Sequence, residues 1–302
     1  TYEARQIALR LGRDGRIDLT ASLAGATRAP LPLDGEVRVG GFGGRQGQQD
    51  FMAAGGFDAV IDATHPFAHR ISFRTHAICA ALGVPYLQVL RLGWAATGAD
   101  DWTFVADEAG VAAKVAANMT VFLATGPGSL AAIGPLPAAR VLCRVIDAPE
   151  GPFPWENGAW RRGRPPFSVE DEVEFLRDEG VDLLVTKNAG GRGGWAKLEA
   201  ARALGLPVVL IDRPPQPPGE KAESVETALD WIEQAGLGIA DLDSDGAFLL
   251  LSCRLEKQDW DAAYADACVL TADNFDRTPM LYHVAALARM THSVVADMRR
   301  FA

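Results

Sequence analysis

The amino-acid sequence predicts an α/β protein with two lobes of parallel sheet, a cleft between the lobes and a helical C-terminal tail. Three observations predict this class. Short, nearly continuous apolar runs alternate with helical segments, which is typical of parallel strands covered by helices on both faces. The 302 residues suffice for two domains at roughly 150 residues each. The alternation then stops after residue 238.

The first predicted lobe spans residues 1–117. It opens with an amphipathic helix over residues 3–11. Because an α/β chain normally begins with a strand, we expect the first strand of this lobe to be missing ahead of Thr1. Further predicted elements are strands over residues 16–23, 58–63 and 85–90 and a helix over residues 67–82.

The second predicted lobe spans residues 118–238, and a tail of unassigned role spans residues 239–302. Predicted strands cover residues 120–124, 140–146, 181–185 and 207–211. Predicted helices cover residues 169–179, 195–204 and 224–235, and two more cover 259–272 and 279–301 in the tail. Both lobes are Rossmann-like in this pattern, and such folds bind ligands where the carboxyl ends of the strands face a crevice.

Composition argues against several classes of protein. Lys and Arg number 29 against 39 Asp and Glu, and the net charge of −10 argues against a nucleic-acid-binding surface. The most apolar stretch, residues 246–253, falls short of the roughly 18 residues of a membrane span. The four cysteines form no Cys-x-x-Cys pair, so neither a disulfide framework nor a zinc site is indicated. We expect a cytoplasmic protein without a bound metal.

Two glycine clusters, residues 40–44 and 190–194, lie where a ligand could approach the backbone. Neither matches the dinucleotide or phosphate-loop fingerprints, so a flexible loop is an equal alternative for each. The first cluster lies between two α/β units. The second follows a strand and precedes a helix, where backbone N–H groups could bind an anion.

The strand that ends at Ser22 bears on the choice of cofactor. In a dinucleotide-binding fold an acidic residue near this position binds the ribose of NAD, and a basic residue accommodates the 2′-phosphate of NADP. Here the strand ends in Ser22 without an acidic residue, and Arg28 follows. A dinucleotide site would therefore favour NADP, the alternative being an ordinary strand end.

The segment Asp62-Ala-Thr-His-Pro-Phe-Ala68 places polar groups at the end of a predicted buried strand. Pro66 ends the strand, and Ser72 follows one helical turn later. Capping of the next helix by Asp62 and Thr64 is the structural alternative. A zinc site at His65, His69 and His76 lacks the usual ligand spacing, and the chain has no Gly-x-Ser-x-Gly elbow for a serine hydrolase.

Basic residues concentrate on predicted loops of the second lobe, although the chain as a whole is acidic. They could meet an anionic ligand at the strand ends or form a solvated face. These residues are Arg161, Arg162, Arg164, Lys187, Arg192 and Lys197.

Over about residues 1–238, several segments of the chain resemble segments of the precorrin-6A reductases of cobalamin biosynthesis, and they occur along the chain in the same order. The most specific are Asp62-Ala-Thr-His-Pro-Phe-Ala68 and Val185-Thr-Lys-Asn-Ala-Gly-Gly191. Others are Thr1-Tyr-Glu-Ala-Arg5, Ser22-Leu-Ala-Gly25, Val39-Gly-Gly-Phe-Gly-Gly44, Pro85-Tyr-Leu87 with Arg91 and Trp94, Gly163-Arg-Pro-Pro-Phe-Ser168, Lys197-Leu-Glu-Ala-Ala201 and Arg213-Pro214. The turn Gly126-Pro-Gly-Ser129 departs from the Thr-Gly-Arg pattern of this family.

The resemblance implies an NADPH-dependent reduction of one double bond in a precorrin macrocycle, a tetrapyrrole-derived polycarboxylate, without metal or flavin. It implies a catalytic group of Asp62, Thr64 and His65, with His65 or solvent as the proton donor. The implied cofactor-binding residues are Thr1, Ser22, Thr27, Arg28, Gly41, Phe42, Gly43 and Gly44. The implied substrate-binding residues are Ser72, Lys187, Asn188, Gly190 and Lys197.

Two alternatives remain open from the sequence. One is the cobalt-precorrin-6A reductase of the anaerobic pathway, which would use NADH. The other is a two-lobed protein that binds an anionic ligand without catalysis. In each case we expect a monomer that binds neither nucleic acid nor membrane.

Overall fold

The polypeptide forms parallel sheets with helices between the strands, as the sequence predicted. The structure is a computed structural model that describes residues 1–14, 17–24, 35–147 and 149–234. The predicted tail, residues 239–302 with its two helices, lies outside the described residues.

The elements are numbered along the chain. The helices are α1 (Tyr2–Leu11), α2 (Arg45–Gly55), α3 (His69–Leu82), α4 (Leu130–Ile133), α5 (Val169–Asp178), α6 (Trp195–Leu204) and α7 (Val225–Gln234). The strands are β1 (Thr20–Leu23), β2 (Glu36–Val39), β3 (Val60–Asp62), β4 (Tyr86–Val89), β5 (Trp102–Val105), β6 (Thr120–Leu123), β7 (Arg140–Val145), β8 (Gly158–Arg162), β9 (Leu183–Lys187), β10 (Val208–Ile211) and β11 (Lys221–Ala222). Short 3₁₀ turns cover Glu108–Lys114, Pro127–Ser129 and Arg192–Gly194.

A six-stranded sheet in the order β5-β10-β9-β6-β7-β8 forms the larger core. Successive residues of β6 alternate between its faces: Val121 and Leu123 pack in one apolar cluster and Phe122 packs in the other. All three side chains are fully buried. Because both faces are covered, every position of such a strand is apolar, which explains the continuous runs in the sequence.

The remaining strands form two smaller parallel sheets, β1-β2 and β11-β4-β3. Helices α2 and α3 pack together beside the second of these, and their contact buries Met52, Ile78 and Cys79. Helix α1 packs against α7. We refer to these two sheets and their helices as the first lobe, and to the six-stranded sheet with its helices as the second lobe.

The strand pairing crosses the domain boundary predicted at residue 117. Strand β5 lies ahead of that boundary but pairs with β10 in the six-stranded sheet. Strand β11 lies in the second half of the sequence but pairs with β4 in the first lobe. Each lobe thus borrows a strand from the other half of the chain, because backbone hydrogen bonds follow spatial proximity and not sequence order. We propose the two-lobe division in a revised form, in which β5 belongs to the second lobe and β11 to the first.

The predicted elements match the structure best where the apolar pattern is longest. Helix α6 has the predicted bounds, and α3 begins at His69, two residues after the predicted start. Strands β2, β5, β8 and β11 and helices α2 and α4 were missed. Strand β2 is mostly exposed, and α2 carries two glycines and no side-chain cap, so neither has a clear apolar pattern.

Among the described residues, none of the helices combines the length and the apolar character that crossing a membrane requires. In the same part of the chain, no group of three or more His, Cys, Asp or Glu side chains is placed to hold a metal ion. Cys79 and Cys143 are buried free thiols.

Candidate active site at the carboxyl ends of the strands

Asp62 organises the turn that follows β3. Its carboxylate is 5% exposed, and both oxygens accept hydrogen bonds. Oδ1 accepts from the backbone N–H of Thr64 at 3.0 Å, and Oδ2 accepts from the hydroxyl of Tyr86 at 2.7 Å. Burial and the Asp62 charge raise the pKa of Tyr86, so its hydroxyl keeps the proton that it donates. This geometry favours the structural alternative for Asp62: it holds the turn in place.

Three further predicted residues meet at the same turn. The hydroxyl oxygens of Thr64 and Ser72 lie 3.2 Å apart. The hydroxyl of Thr1 donates to the carbonyl of Ala63 at 2.7 Å and accepts from the N–H of Ala4 at 3.0 Å. Ser72 is buried whereas Thr64 is exposed, so the Thr64 hydroxyl is the one that a ligand can reach.

His65 lies at the tip of this turn, where part of its side chain is exposed while the surrounding protein desolvates the ring. Its Nδ1 accepts a hydrogen bond from the backbone N–H of Phe67 at 3.3 Å, which places the ring proton on Nε2. Burial of the ring, together with the positive charges of Arg91 and Lys187, lowers the pKa of His65 to about 4. At neutral pH the side chain is therefore a hydrogen-bond donor through Nε2 and not an imidazolium.

The positive charges next to His65 come from Arg91, Lys187 and Arg213, which we call the basic group. Lys187 is the last residue of β9; its Nζ lies 3.3 Å from Glu108 and 4.8 Å from the centre of the Phe67 ring. Phe67 belongs to the His65 turn, so the end of β9 meets the end of β3 at this point. The carboxyl end of β9 in the six-stranded sheet and that of β3 in the three-stranded sheet therefore lie close together, where one ligand could contact both.

Arg213 and Asn188 fix the backbone around the basic group. The Arg213 guanidinium donates to the carbonyl oxygens of Asn188 at 2.8 Å, Ala189 at 3.0 Å and Arg91 at 2.6 Å. The Asn188 amide bonds both the N–H and the C=O of Trp94, at 2.7 and 3.1 Å. Asn188 was predicted to bind substrate, but its side chain is buried and already paired, so it positions the segment that carries Arg91.

Arg91 is held from two sides. Its Nε donates to the carbonyl of Gly190 at 2.9 Å, and its Nη1 forms an ion pair with Glu3 of α1 at 2.9 Å. Burial lowers the pKa of Arg91, and the Glu3 carboxylate opposes that effect. The guanidinium therefore joins α1 of the first lobe to the loop after β9.

Lys197, also predicted to bind substrate, is half-buried beside the second glycine cluster. Its Nζ donates to the carbonyl of Gly194 at 2.9 Å and lies 5.8 Å from the centre of the Trp94 ring. Burial lowers the pKa of Lys197 to about 8, and the charge of Glu172 opposes that effect. Above it lies an open groove of about 530 Å³. The groove is lined by Trp94, Phe167, Ser168, Gly191, Arg192 and Trp195 among others.

The predicted concentration of basic residues in the second lobe is only partly a ligand-facing surface. Lys187 belongs to the basic group and Arg192 lines the groove. Arg161 instead pairs with Glu179 at 2.6 Å, and that ion pair raises its pKa. Sequence analysis assigned no role to Arg91 or Arg213, because spacing along the chain does not show that both lie beside His65.

The first glycine cluster carries the predicted cofactor residues. Gly41, Phe42, Gly43 and Gly44 form the loop between β2 and α2. Ser22 in β1 lies opposite Arg38 in β2 and accepts a hydrogen bond from it at 2.9 Å. Arg38 was missed because it lies 16 residues further along the chain. Thr27 and Arg28 lie outside the described residues.

A close backbone contact at Gly190 gives a testable prediction. Gly190 and Gly180 both have left-handed φ, 66° and 60°, but a Cβ on Gly190 would clash with the Leu92 carbonyl oxygen, whereas one on Gly180 would have no neighbouring atom within 4 Å. Gly180→Ala should cost about 1–2 kcal/mol for the conformation alone. Gly190→Ala should cost a further 1–3 kcal/mol or so, as overpacking does, and should reduce activity. Urea unfolding of both variants checks this, and equal costs would contradict it.

Several known proteins are similar in sequence to most of this chain. The sequence model of the family described as precorrin-6x reductase CbiJ/CobK matches residues 1–233. The precorrin-6A reductase of Rhodobacter capsulatus is 42% identical over 237 residues, which are 78% of this chain and 94% of that protein. The precorrin-6A reductase of Rhodococcus erythropolis is 38% identical over 234 residues, 77% of this chain and 94% of that protein.

A solved structure is similar as well. The CobK precorrin-6A reductase superposes with a TM-score of 0.73 at 40% sequence identity and covers 78% of this chain and 94% of its own. The likeness thus extends over both lobes and includes the sequence that forms the His65 turn, the basic group and the glycine loop. The chain belongs to the precorrin-6x reductase family.

Proposed function

We propose that the protein reduces one double bond of the precorrin-6A macrocycle, with NADPH as the hydride donor, to give a dihydro-precorrin-6 in cobalamin biosynthesis. Membership of the precorrin-6x reductase family supports a reductase. The observation that carries the substrate is the position of Lys187, whose ammonium lies against the Phe67 ring of the His65 turn, with Arg91 and Arg213 near enough to lower the pKa of His65. In a chain of net charge −10, such a group attracts the carboxylate arms of a polycarboxylate.

The reaction needs one hydride and one proton. NADPH would supply the hydride to one carbon of the conjugated double bond, and the electron pair of that bond would take up a proton at its other end. The protein contributes mainly by holding the reacting groups in position. In the proposal Lys187 binds a carboxylate arm, Thr64 and the Nε2–H of His65 bind the macrocycle nearby, and water delivers the proton.

The glycine loop before α2 fits a dinucleotide. Gly40, Gly43 and Gly44 have φ of 115°, 72° and 103°, and no neighbouring atom lies within 4 Å of a Cβ built on any of them. The loop leads directly into α2, whose N-cap makes no side-chain hydrogen bond. The backbone is therefore exposed where a phosphate could approach it, next to the strand end at Ser22.

The neutral state of His65 predicts how activity depends on pH. Because its pKa is lowered to about 4, the ring stays neutral at and above neutral pH, and kcat/KM should show no inflection near 6.5 from this residue. His65→Gln keeps an N–H donor and should retain most activity, whereas His65→Ala should lose roughly 10- to 100-fold, as expected for a lost hydrogen bond of about 1.5–3 kcal/mol. The measurement is kcat/KM against pH for the wild type and both variants.

A different pH dependence is expected if His65 is the proton donor. If protonated His65 delivered the proton, kcat/KM would fall as the pH rises through the pKa of His65. The glutamine variant would then be as inactive as the alanine variant, since an amide cannot act as a general acid.

A direct assay tests the proposed function. The full chain is incubated with precorrin-6A and NADPH, and the loss of NADPH absorbance is followed together with the mass of the macrocycle. The proposal predicts oxidation of NADPH in step with a gain of two hydrogens by the substrate. Parallel reactions with NADH and with cobalt-precorrin-6A separate the alternatives. Folded protein that oxidises neither nucleotide with either substrate would rule out the reductase.

A further inference from the structure

Arg38 lies near the end of β2, and the proposed reaction assigns it no role. It lies opposite Ser22 in the parallel β1-β2 pair. Its Nη1 donates to the Ser22 hydroxyl at 2.9 Å and to the Gly40 carbonyl at 3.0 Å, and its Nη2 donates to the Gly41 carbonyl at 3.0 Å. These bonds hold the guanidinium at the carboxyl ends of two strands, beside the glycine loop.

Aromatic contacts fix the plane of the same group. The guanidinium carbon lies 3.9 Å from the centre of the Phe42 ring and 5.2 Å from that of Phe51. The two rings are 5.4 Å apart and tilted by 52°. Cation–π contacts of this kind keep an arginine ordered without neutralising its charge. Arg38 is thus a preorganised cation.

The charge of Arg38 has no internal counter-charge in the part of the chain that the structure describes. None of the ion pairs found in that part of the chain includes Arg38. Three of the five N–H groups of the Arg38 guanidinium have protein acceptors, and the Nε–H and one Nη2–H remain. An arginine held on a fixed plane with N–H groups to spare can bind the oxygens of a phosphate.

We infer that Arg38, together with the Ser22 hydroxyl, binds the 2′-phosphate on the adenosine ribose of NADP(H), and so determines the preference for NADPH over NADH. The inference rests on the proposed function, since it assigns a part of the same cofactor site. Ser22 and the glycine loop are the groups that define that site, and Arg38 contacts both. No group other than a phosphate at that ribose position distinguishes the two cofactors, so the residue that contacts it decides the preference.

The test separates the 2′-phosphate from the rest of the nucleotide. Isothermal titration calorimetry of the full chain is carried out with adenosine 2′,5′-bisphosphate and with AMP, for the wild type and for Arg38→Ala. We expect the variant to lose about 10- to 100-fold in affinity for the bisphosphate, as for other charge-assisted hydrogen bonds, and to change less than about twofold for AMP. Arg38→Lys keeps the charge without the paired donors and should lie between the two.

Arg10→Ala is the matched control. Arg10 is an exposed arginine of the same lobe, paired with Glu226 at the surface, and its removal changes the net charge by the same amount. This variant should bind both nucleotides like the wild type. A similar loss of bisphosphate affinity in both variants would show a general charge effect and overturn the inference.

Two further outcomes keep the inference separate from the proposed function. If Arg38→Ala weakens AMP and the bisphosphate equally, Arg38 only supports the glycine loop; the inference then fails while NADPH use stands. If the wild type binds neither bisphosphate nor NADPH, the proposed use of NADPH fails, and the inference fails with it.

Discussion

Arg144→Ala is expected to lower the free energy of unfolding by roughly 3–5 kcal/mol, as breaking a buried ion pair does when one charge stays behind. Arg144 and Glu172 form an ion pair of 2.5 Å in which the Glu172 side chain is only 3% exposed. The Arg144 guanidinium also lies 4.3 Å from the centre of the Phe167 ring. One Glu172 oxygen already lacks a hydrogen-bond partner, so the variant would leave a buried carboxylate without its main one.

The measurement is urea unfolding, and the chain supplies a matched control. Arg140 pairs with Glu179 at 2.6 Å but is 41% exposed, and Arg161 remains bonded to Glu179 when Arg140 is removed. Arg140→Ala should therefore cost no more than about 1 kcal/mol. The double variant Arg144→Met with Glu172→Leu should regain much of the lost stability, since no buried charge is left. Equal losses for Arg144→Ala and Arg140→Ala would contradict this account.

Lys187→Ala is expected to raise the KM for the precorrin substrate by roughly 10- to 100-fold, the effect of losing one charge-assisted hydrogen bond of about 1.5–3 kcal/mol. The Lys187 ammonium lies at the end of β9 and beside the Phe67 ring, where the proposed carboxylate arm would bind. The affinity for NADPH should stay within about twofold, because the glycine loop and Ser22 belong to other strands. Steady-state kinetics and NADPH titration measure the two quantities.

Lys114→Ala is the control for this variant, because Lys114 is an exposed lysine at the end of the 3₁₀ turn that packs against β5 and β10 of the six-stranded sheet. Lys187→Arg keeps the charge and should restore part of the affinity for substrate. An unchanged KM in Lys187→Ala would remove Lys187 from the substrate site. A KM increase of the same size in Lys114→Ala would show that overall charge is responsible.

The apolar pattern of the sequence predicted the α/β class and most of the core strands. Val121, Phe122 and Leu123 are all apolar because β6 is covered on both faces, and this pattern is visible without a structure. The exposed β2 and the polar α2 carry no such pattern and were missed. The motif that begins at Asp62 was recognised because an abrupt change from apolar to polar residues marks the end of a buried strand.

Residue type and position along the chain did not distinguish the side chains that could contact a ligand from the side chains that hold the surrounding backbone in place. Asn188 and Lys197 lie in two segments that suggest substrate binding, yet Asn188 is buried, Lys197 is half-buried, and both are bonded to the protein. Arg38 and Arg213, which carried no predicted role, lie at strand ends beside Ser22 and His65. Burial and partnership depend on contacts between distant segments, which a local pattern does not contain.

The sequence by itself determined the class of fold, most of the buried strands and the segments around Asp62, Val185 and Gly40, because these depend on local patterns of apolar, polar and glycine residues. Tertiary structure alone decided the exchange of β5 and β11 between the sheets, the neutral state of His65 and the pairing of Ser22 with Arg38. The reason is physical: strand pairing, desolvation and charge–charge interactions act through space, between residues as far apart in sequence as His65 and Arg213.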